Sequence, residues 1–491
     1  MASARHAFPA GLVLDAHKRH ALEAPIVPLP APASVVLALD QGSGSVLEPV
    51  VAVGQDVALG AIVARAIDPF GATLHASVSG RVKAIETRES ASEFGECVCI
   101  ELANDGRDAL EPGLRRQEAL TLEPPELVER LREAGIAGLG GAAFPTATKL
   151  AAARERGARR LLLNGAECEP WICCDDAVMR AEAGEIVFGA RVLMRALDAV
   201  ECVIAVEDDK PEAIEALRQA LATTDAGGVA VDVVPAVYPR GAERQLISAV
   251  MGVEVPARGL PAEVGLTCQN VATAAAVARW ARTGEPCLSR VVTVTGSGVA
   301  RPVNVRARLG TPIAALVAAA GGYRGDPLRL IAGGSMTGRA LTSDEVGLTK
   351  AINCVLVATR EDLAPRLDAY ELPCIRCGDC ATVCPPGLLP QQLHRAVLAG
   401  QDEAAVTLGV WECIDCGCCD YVCPSQIPLA LRFREARARL RDREAATARA
   451  AVARERFERH EHRLQEAALA EQQAFDAARA LARGSGDQGA T

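Results

Sequence analysis

The sequence predicts a multidomain protein of α/β and β modules that runs into a short cysteine-rich helical segment. Three observations carry that reading. Residues 34–103 hold short β-branched runs broken by glycine turns, the pattern of a small all-β module. Residues 124–288 alternate helical and strand-like stretches, the pattern of a mostly parallel sheet with helices on its faces. Between Cys374 and Pro424 the spacing C-x2-C-x2-C-x3-C-P occurs twice, as CIRCGDCATVCP and CIDCGCCDYVCP. At 491 residues the chain has room for three domains or more, and half its residues are hydrophobic. Its 62 acidic against 52 basic residues give a formal charge of −10, which argues against a nucleic-acid surface. No apolar leader core and no uncharged apolar run of 18 residues is present, so neither a signal peptide nor a spanning helix is expected.

Residues 1–33, with the Pro-rich PIVPLPAPA, read as an irregular, extended lead-in. In the β module that follows, VSGRV resembles the barrel-sandwich fold of biotinyl and lipoyl carriers. The tip reads PFGATLHAS, so the lysine that would carry a swinging arm is absent. His75 is the one ligand-type residue here, and a lone histidine is more commonly a hydrogen-bonded structural residue. In the α/β stretch, RRLLLNG, ECVIAVED and VAVDVVP are buried strands, while ELVERLREAG and DDKPEAIEALRQAL are helices. Two features there carry chemistry. The glycine-rich GIAGLGGAAFPTATKL, Gly135 to Leu150, lets backbone approach a ligand, and a helix start beyond it suits a phosphate. It matches neither GxGxxG nor a Walker loop, and a plain glycine turn explains it equally well. LLLNGAECEPWICCDD, Leu161 to Asp176, puts Asn164, Glu167 and Glu169 at the end of a strand, where open α/β sheets bind ligands. An ordinary turn before a helix whose Asp175 and Asp176 favour the helix dipole is the competing reading.

Residues 289–358 form a third module of strands around one helix, with Gly333 and Gly334 read as hairpin glycines. Residues 363–433 carry the cysteine runs. Three thiolates three residues apart wrap one face of an iron–sulfur cube, and the fourth points at the other cube. One 4Fe–4S cluster is therefore assigned Cys374, Cys377, Cys380 and Cys423, and the other Cys413, Cys416, Cys419 and Cys384. Zinc modules prefer separated cysteine pairs, and disulfide frameworks suit short secreted chains. Cys418 stands off the ligand spacing and is read as a non-ligand. Residues 434–491 are rich in Ala, Arg and Glu with opposite charges three or four apart, as in a solvated helix. Docking to a partner or an anionic membrane surface is the alternative use of that helix. The terminal GSGDQGAT is expected to be disordered.

The combination of GGAAFPTATK, NGAECEP, YPRGAERQLI (Tyr238 to Ile247) and QNVATA (Gln269 to Ala274) with both cysteine runs resembles RnfC, the C subunit of Rnf-type ion-translocating electron-transport complexes. The flavin domain of that family is similar to the NADH-oxidising subunit of respiratory complex I. Over about residues 34–435 the resemblance implies, in order, a barrel-sandwich domain, a Rossmann-like FMN/NADH domain, a β-grasp domain and a ferredoxin-like two-cluster domain. It implies FMN held by Gly138, Gly140, Lys149, Asn164, Glu167, Asn270 and Thr273, and NAD(H) met by Gly141, Phe144, Glu169 and Glu243. Ala143 and Ala242 stand where the family has glycine, which puts the closeness of the nucleotide's approach in question. The implied activity passes electrons between NADH, FMN and two 4Fe–4S clusters to or from partner subunits, and indirectly ferredoxin, coupled in the whole complex to ion translocation. The implied place is peripheral, on the cytoplasmic side of the inner membrane. Two other readings stay open: a non-catalytic electron-relay scaffold, and a flavoprotein of the cobalamin-reductase type.

Overall fold

The computed structural model describes residues 10–42, 45, 47–92, 95–363 and 370–484. The ends of the expected lead-in and tail, residues 1–9 and 485–491, and residues 364–369 ahead of the cysteine runs lie outside that description. The chain divides into two compact units. The first takes residues 1–391 and 411–430, and the second residues 392–410 and 431–491.

Within the first unit, the strand Arg160–Gly165 is the centre of a four-stranded parallel sheet. Glu201–Glu207 and then Val229–Val234 pair on one side, and Leu266–Asn270 on the other. Leu161, Leu162 and Leu163 are fully buried, the unbroken apolar run expected of a strand covered on both faces. The helices Ala183–Leu197 and Val271–Thr283 pack closely because Gly189 has no side chain. A Cβ there would sit 1.9 Å from the Ala274 carbonyl oxygen. Parallel pairing brings the ends of these strands to one edge, and the segments after Asn164 and Asn270 build the site there.

Two smaller sheets flank this core. Ser34–Ala38, Glu96–Asn104, Gly80–Glu89 and Asp56–Val57 make one antiparallel sheet; Leu47–Pro49, Ile62–Ala66 and Leu74–His75 make another. Their apolar faces share Val35, Leu37, Val63, Leu74 and Ile100 as core. His75 is buried near Lys350, whose Nζ donates to the carbonyls of Thr73 and Gly135 at 2.9 and 2.7 Å. Burial and that ammonium push the imidazole down to about 3, so it stays neutral in a place that disfavours a metal cation.

The third sheet is six-stranded and mixed, in the order Val27–Pro28, Val303–Arg308, Ser289–Thr295, Cys354–Ala358, Arg329–Ala332, Arg339–Leu341. Its first strand corrects the reading of residues 1–33 as irregular throughout. Residues 10–33 contain the short helix Arg19–Leu22 and the strand Val27–Pro28, which runs parallel to Val303–Arg308. Proline is tolerated there because the strand lies at the sheet edge. Leu12 and Tyr238 exchange two backbone hydrogen bonds, at 2.7 and 2.9 Å, and His17 stacks on Trp171 at 4.3 Å. Gly333, at φ +98°, and Gly334 lie in the turn between Arg329–Ala332 and Arg339–Leu341, the hairpin position expected of them.

In the second unit, Arg432 lies 3.3 Å from the His394 ring and Arg443 pairs with Asp402. The helix Leu429–Gly484 enters this unit at residue 431, and from residue 441 every described side chain is exposed. Ion pairs one turn apart, Arg459–Glu455 and His462–Glu466, support the helix. No helix among the described residues is long and apolar enough to cross a membrane.

Candidate functional site

At the edge where Asn164 and Asn270 end their strands, the first unit opens a cavity of about 330 Å³. That is within the range of small-molecule sites, roughly 300–1,000 Å³. Of the residues singled out from the sequence, Gly138, Gly140, Phe144, Lys149, Asn164, Glu167, Glu169, Glu243 and Asn270 line it. Gly141 and Thr273 do not.

The glycine loop connects the helices Pro124–Glu133 and Thr146–Glu155. Gly138 N donates to Phe144 O at 2.8 Å and closes the loop on itself. At Gly140 a Cβ would lie 3.1 Å from Asn270 Nδ2, so only glycine lets the loop come this near the strand end. Thr273 is fully buried, and its Oγ1 accepts from Leu139 N at 2.9 Å. It therefore holds the loop from beneath. Ala143 adopts φ +47°, the left-handed conformation in which glycine is least strained. Its methyl is buried and off the cavity wall, so it does not narrow the cleft; Ala242 does line it.

The polar wall is held by its own hydrogen bonds. Asn164 accepts from Ala166 N at 3.0 Å and donates to Gly241 O at 2.8 Å. Asn270 caps the helix Val271–Thr283 through Ala272 N at 2.8 Å, and its Nδ2 donates to Asp175 Oδ2 at 2.6 Å. Glu167 accepts from Asp175 N and Asp176 N, at 2.8 and 3.2 Å, at the start of the helix Cys174–Ala181. Burial raises the Glu167 and Asp175 carboxyls above their usual range, and at Glu167 the neighbouring Asp175 adds to the shift. Lys149 Nζ donates to Glu243 Oε1 at 2.6 Å; burial works against its charge, but the Glu243 carboxylate outweighs it and keeps the ammonium.

Glu169, which the family resemblance aims at a nucleotide, is instead taken up by the hairpin. One carboxylate oxygen accepts from Met336 N and Thr337 N at 2.8 Å, and the other from Thr337 Oγ1 at 2.7 Å. Gly334 leaves room for it, since a Cβ there would meet Oε1 at 2.4 Å. Charge-assisted hydrogen bonds of this kind contribute about 1.5–3 kcal/mol each. Glu169→Ala should therefore speed hydrogen exchange at the Met336 and Thr337 amides by about 10–100-fold while iron content stays the same.

The two cysteine runs repeat in conformation as well as in sequence. Arg376 and Gly378 take positive φ, +59° and +91°, and their counterparts Asp415 and Gly417 take +56° and +70°. Each loop then enters a short helix, Asp379–Thr382 or Cys418–Val422. Around Cys380, burial and the nearby Cys377, Cys423 and Cys374 hold the thiol above its usual range. Burial, with Cys416, Cys413 and Cys380 nearby, pushes Cys384 up to about 12. The last cysteine of each run thus lies among the first three of the other. Thiols so desolvated and so close do not ionise together without bound cations, which is the chemistry a cubane's irons supply. Cys418 is fully buried and its thiol is hydrogen-bonded to Cys416.

The cavity and the second run share a wall. Ile414 and Cys416 line the cavity, and Tyr238 Oη donates to Cys416 O at 2.6 Å. Glu412 binds Arg244 Nη1 at 3.1 Å and Arg258 N at 3.2 Å, which fixes the run against the α/β region. Sequence reasoning assigned no role to Tyr238, Asp175, Thr337 or Cys416 in the cavity. Tyr238 was legible as part of YPRGAERQLI; the others are brought in by long-range packing.

Four family models match the chain. They are the RnfC barrel sandwich hybrid domain at residues 6–107, the Nuo51 FMN-binding domain at 131–279, the SLBB domain at 291–340 and the 4Fe–4S dicluster domain at 369–424. With the cavity and the paired runs, these define a multidomain electron-transfer protein that carries FMN and two 4Fe–4S clusters. The C subunit of the ion-translocating oxidoreductase complex of Pseudomonas aeruginosa is 42% identical over 463 residues, covering 94% of this chain and 59% of that protein. Its namesake from Rhodobacter capsulatus is 39% identical over 439 residues, covering 89% of this chain and 83% of that protein. The chain belongs to this family, the C subunits of ion-translocating oxidoreductase complexes. It spans little more than half the length of the Pseudomonas relative. An NAD+-reducing [NiFe]-hydrogenase crystal structure is a looser likeness, with a TM-score of 0.43 and 21% identity over 58% of this chain and 55% of that one.

Proposed function

We propose that this protein passes electrons between NADH and partner subunits of a membrane-bound complex by way of the FMN cleft and the two cysteine-held clusters. The observation that carries this is the shared wall: Cys416, a cluster-run cysteine, lines the same cavity as the glycine loop and Lys149. FMN, when bound, exchanges a hydride with nicotinamide and single electrons with iron–sulfur centres. Gly138 and Gly140 admit its approach, Lys149 and the start of Thr146–Glu155 suit its phosphate, and Asn164, Glu167 and Asn270 form its polar wall. Thr273 holds the glycine loop in place, while Phe144, Gly141 and Glu243 stand where NADH would enter. Cys413, Cys416, Cys419 and Cys384 hold the cluster beside the cleft. Cys374, Cys377, Cys380 and Cys423 hold the other; Cys374 and Cys377 are exposed, which suits an exit to a partner.

The finer architecture we assign is a barrel-sandwich domain over 34–103, a Rossmann-like domain over 124–288, a β-grasp domain over 289–358 and a ferredoxin-like domain over 363–433, with a helical tail from 434. The place we assign is the cytoplasmic side of the inner membrane, with ferredoxin reached through other subunits and ion translocation residing in the complex. The relay-scaffold reading rested partly on Ala143, and its methyl lies off the cavity wall. The test is NADH-dependent ferricyanide reduction by anaerobically reconstituted protein, with and without FMN. Dye reduction that depends on FMN is the expected result; none in either case would return the protein to the relay-scaffold reading.

A further inference from the structure

Two cavities flank one pair of buried carboxyls. Glu167 and Asp175 line the cleft described above. Asp176, whose backbone N–H donates to Glu167 Oε2, lines a second cavity of about 640 Å³ together with Lys18 and Lys210. Ligand-type atoms of Glu167, Asp175 and Cys174 all lie within 4.8 Å of one another, and all three residues are buried. Two carboxylates this close and this dry cannot both be ionised without strong repulsion. Asp175 Oδ2 accepts from Asn270, but Oδ1 is buried with no hydrogen-bond partner among the described residues. A proton shared within the pair removes the repulsion and gives that oxygen a bonding role.

We propose that Glu167 and Asp175 together hold one proton and act as the proton donor and acceptor of the flavin cleft. This rests on the FMN and NADH reading above. The balance is simple. Nicotinamide delivers a hydride and the pair delivers a proton, which together supply the two electrons and two protons of the reduced ring. As the electrons leave singly past Cys416, two protons are released; one refills the pair and the other goes to water.

The groups facing the pair suit both states. Lys18 from the lead-in, Lys210 from the start of the helix Pro211–Thr223 and Arg290 from Ser289–Thr295 stabilise the ionised form. Lys18 Nζ donates to the Glu167 carbonyl. Cys174 donates to Glu167 Oε1 at 3.5 Å; Cys173 and Cys354 are buried nearby, with their thiols held up by burial. Glu207 is itself paired with Lys210 at 2.6 Å, and Asp176 with Arg180 at 2.7 Å. Three cations around the site already oppose a fourth, which favours a proton over a divalent metal as its occupant.

The test uses the full chain loaded with FMN and clusters. Infrared spectra of the oxidised protein near neutral pH should show the carbonyl stretch of a buried protonated carboxyl, lost in both Asp175→Asn and Glu167→Gln. Stopped-flow bleaching of the flavin by NADH should slow about 100-fold in Asp175→Asn, the scale of lost general-acid assistance. Flavin content measured on each variant separates this from lost binding, and Asp175→Asn keeps the test open should Glu167→Gln not retain flavin. A carboxyl band that persists in Asp175→Asn, or a bleaching rate that Asp175→Asn leaves unchanged, overturns the proposal. So does a tightly bound divalent metal beyond the cluster iron that Glu167→Gln releases. If the wild type is not bleached by NADH at all, the flavin and NADH reading fails. The infrared band needs no NADH and still reports on the shared proton.

Discussion

Cys384→Ser is expected to remove about half of the cluster iron, and the loss should fall on the cluster built from the other run. Cys384 follows Cys374, Cys377 and Cys380 in sequence, yet Cys413 and Cys416 are among its close thiol neighbours. The cluster beside the flavin cleft should therefore fail, while the one held by Cys374, Cys377, Cys380 and Cys423 survives. NADH-dependent ferricyanide reduction should persist, because the dye collects electrons at the flavin. Delivery to the exposed end of the wire should stop. Cys418→Ser provides the internal control: it lies in the same run, is fully buried and is off the ligand spacing, so iron content should not change. Iron analysis and low-temperature magnetic resonance of the two reduced variants check both statements. Iron loss in Cys418→Ser would show that the ligand set has been misread.

Lys149→Ala should weaken FMN binding by about 10–100-fold, the loss of one charge-assisted contact of about 1.5–3 kcal/mol. Lys149 stands in the first turn of Thr146–Glu155 and lines the cavity beside Glu243. Removing it leaves Glu243 without its ion-pair partner, but that side chain is 38% exposed and water can take the carboxylate. Folding should survive, with iron content unchanged, so the loss reads as ligand binding. Fluorescence titration of free FMN into apo-flavin protein measures it. Lys149→Arg should recover part of the affinity, because the charge is restored on a longer side chain. Wild-type affinity in Lys149→Ala would place the phosphate elsewhere.

Local patterns were the legible part of this protein. The unbroken apolar run Leu161–Leu163 announced a central parallel strand, and the doubled cysteine spacing announced a doubled loop conformation. The exchange of Cys384 and Cys423 between runs follows from the same spacing, which leaves each fourth thiol out of reach of the first three. What stayed hidden depends on contacts between residues far apart in the chain. Val27–Pro28 joins a sheet whose nearest strand is about 280 residues away, and nothing in PIVPLPAPA signals a partner. Glu169 looked like a ligand contact because it follows NGAEC at a strand end. Its carboxylate is claimed by a hairpin 167 residues on, through backbone N–H groups that have no sequence signature. Thr273 sits in QNVATA as though facing a cofactor, and helix phase turns it inward beneath Leu139. Asp175 and Asp176 read as ordinary helix-start acids; only Asp176 behaves so, through its ion pair with Arg180, while Asp175 joins the wall of the cleft.

The central claim is that electrons entering the glycine-loop cleft leave through the cysteine runs, across the wall that Tyr238 and Cys416 share. An anaerobic NADH titration of the reconstituted protein, followed by visible absorbance and low-temperature magnetic resonance, tests it most directly. The account predicts that NADH reduces the clusters in FMN-loaded protein and leaves them oxidised in protein stripped of flavin. Clusters reduced equally well without flavin, or left oxidised while bound FMN is fully bleached, would contradict it.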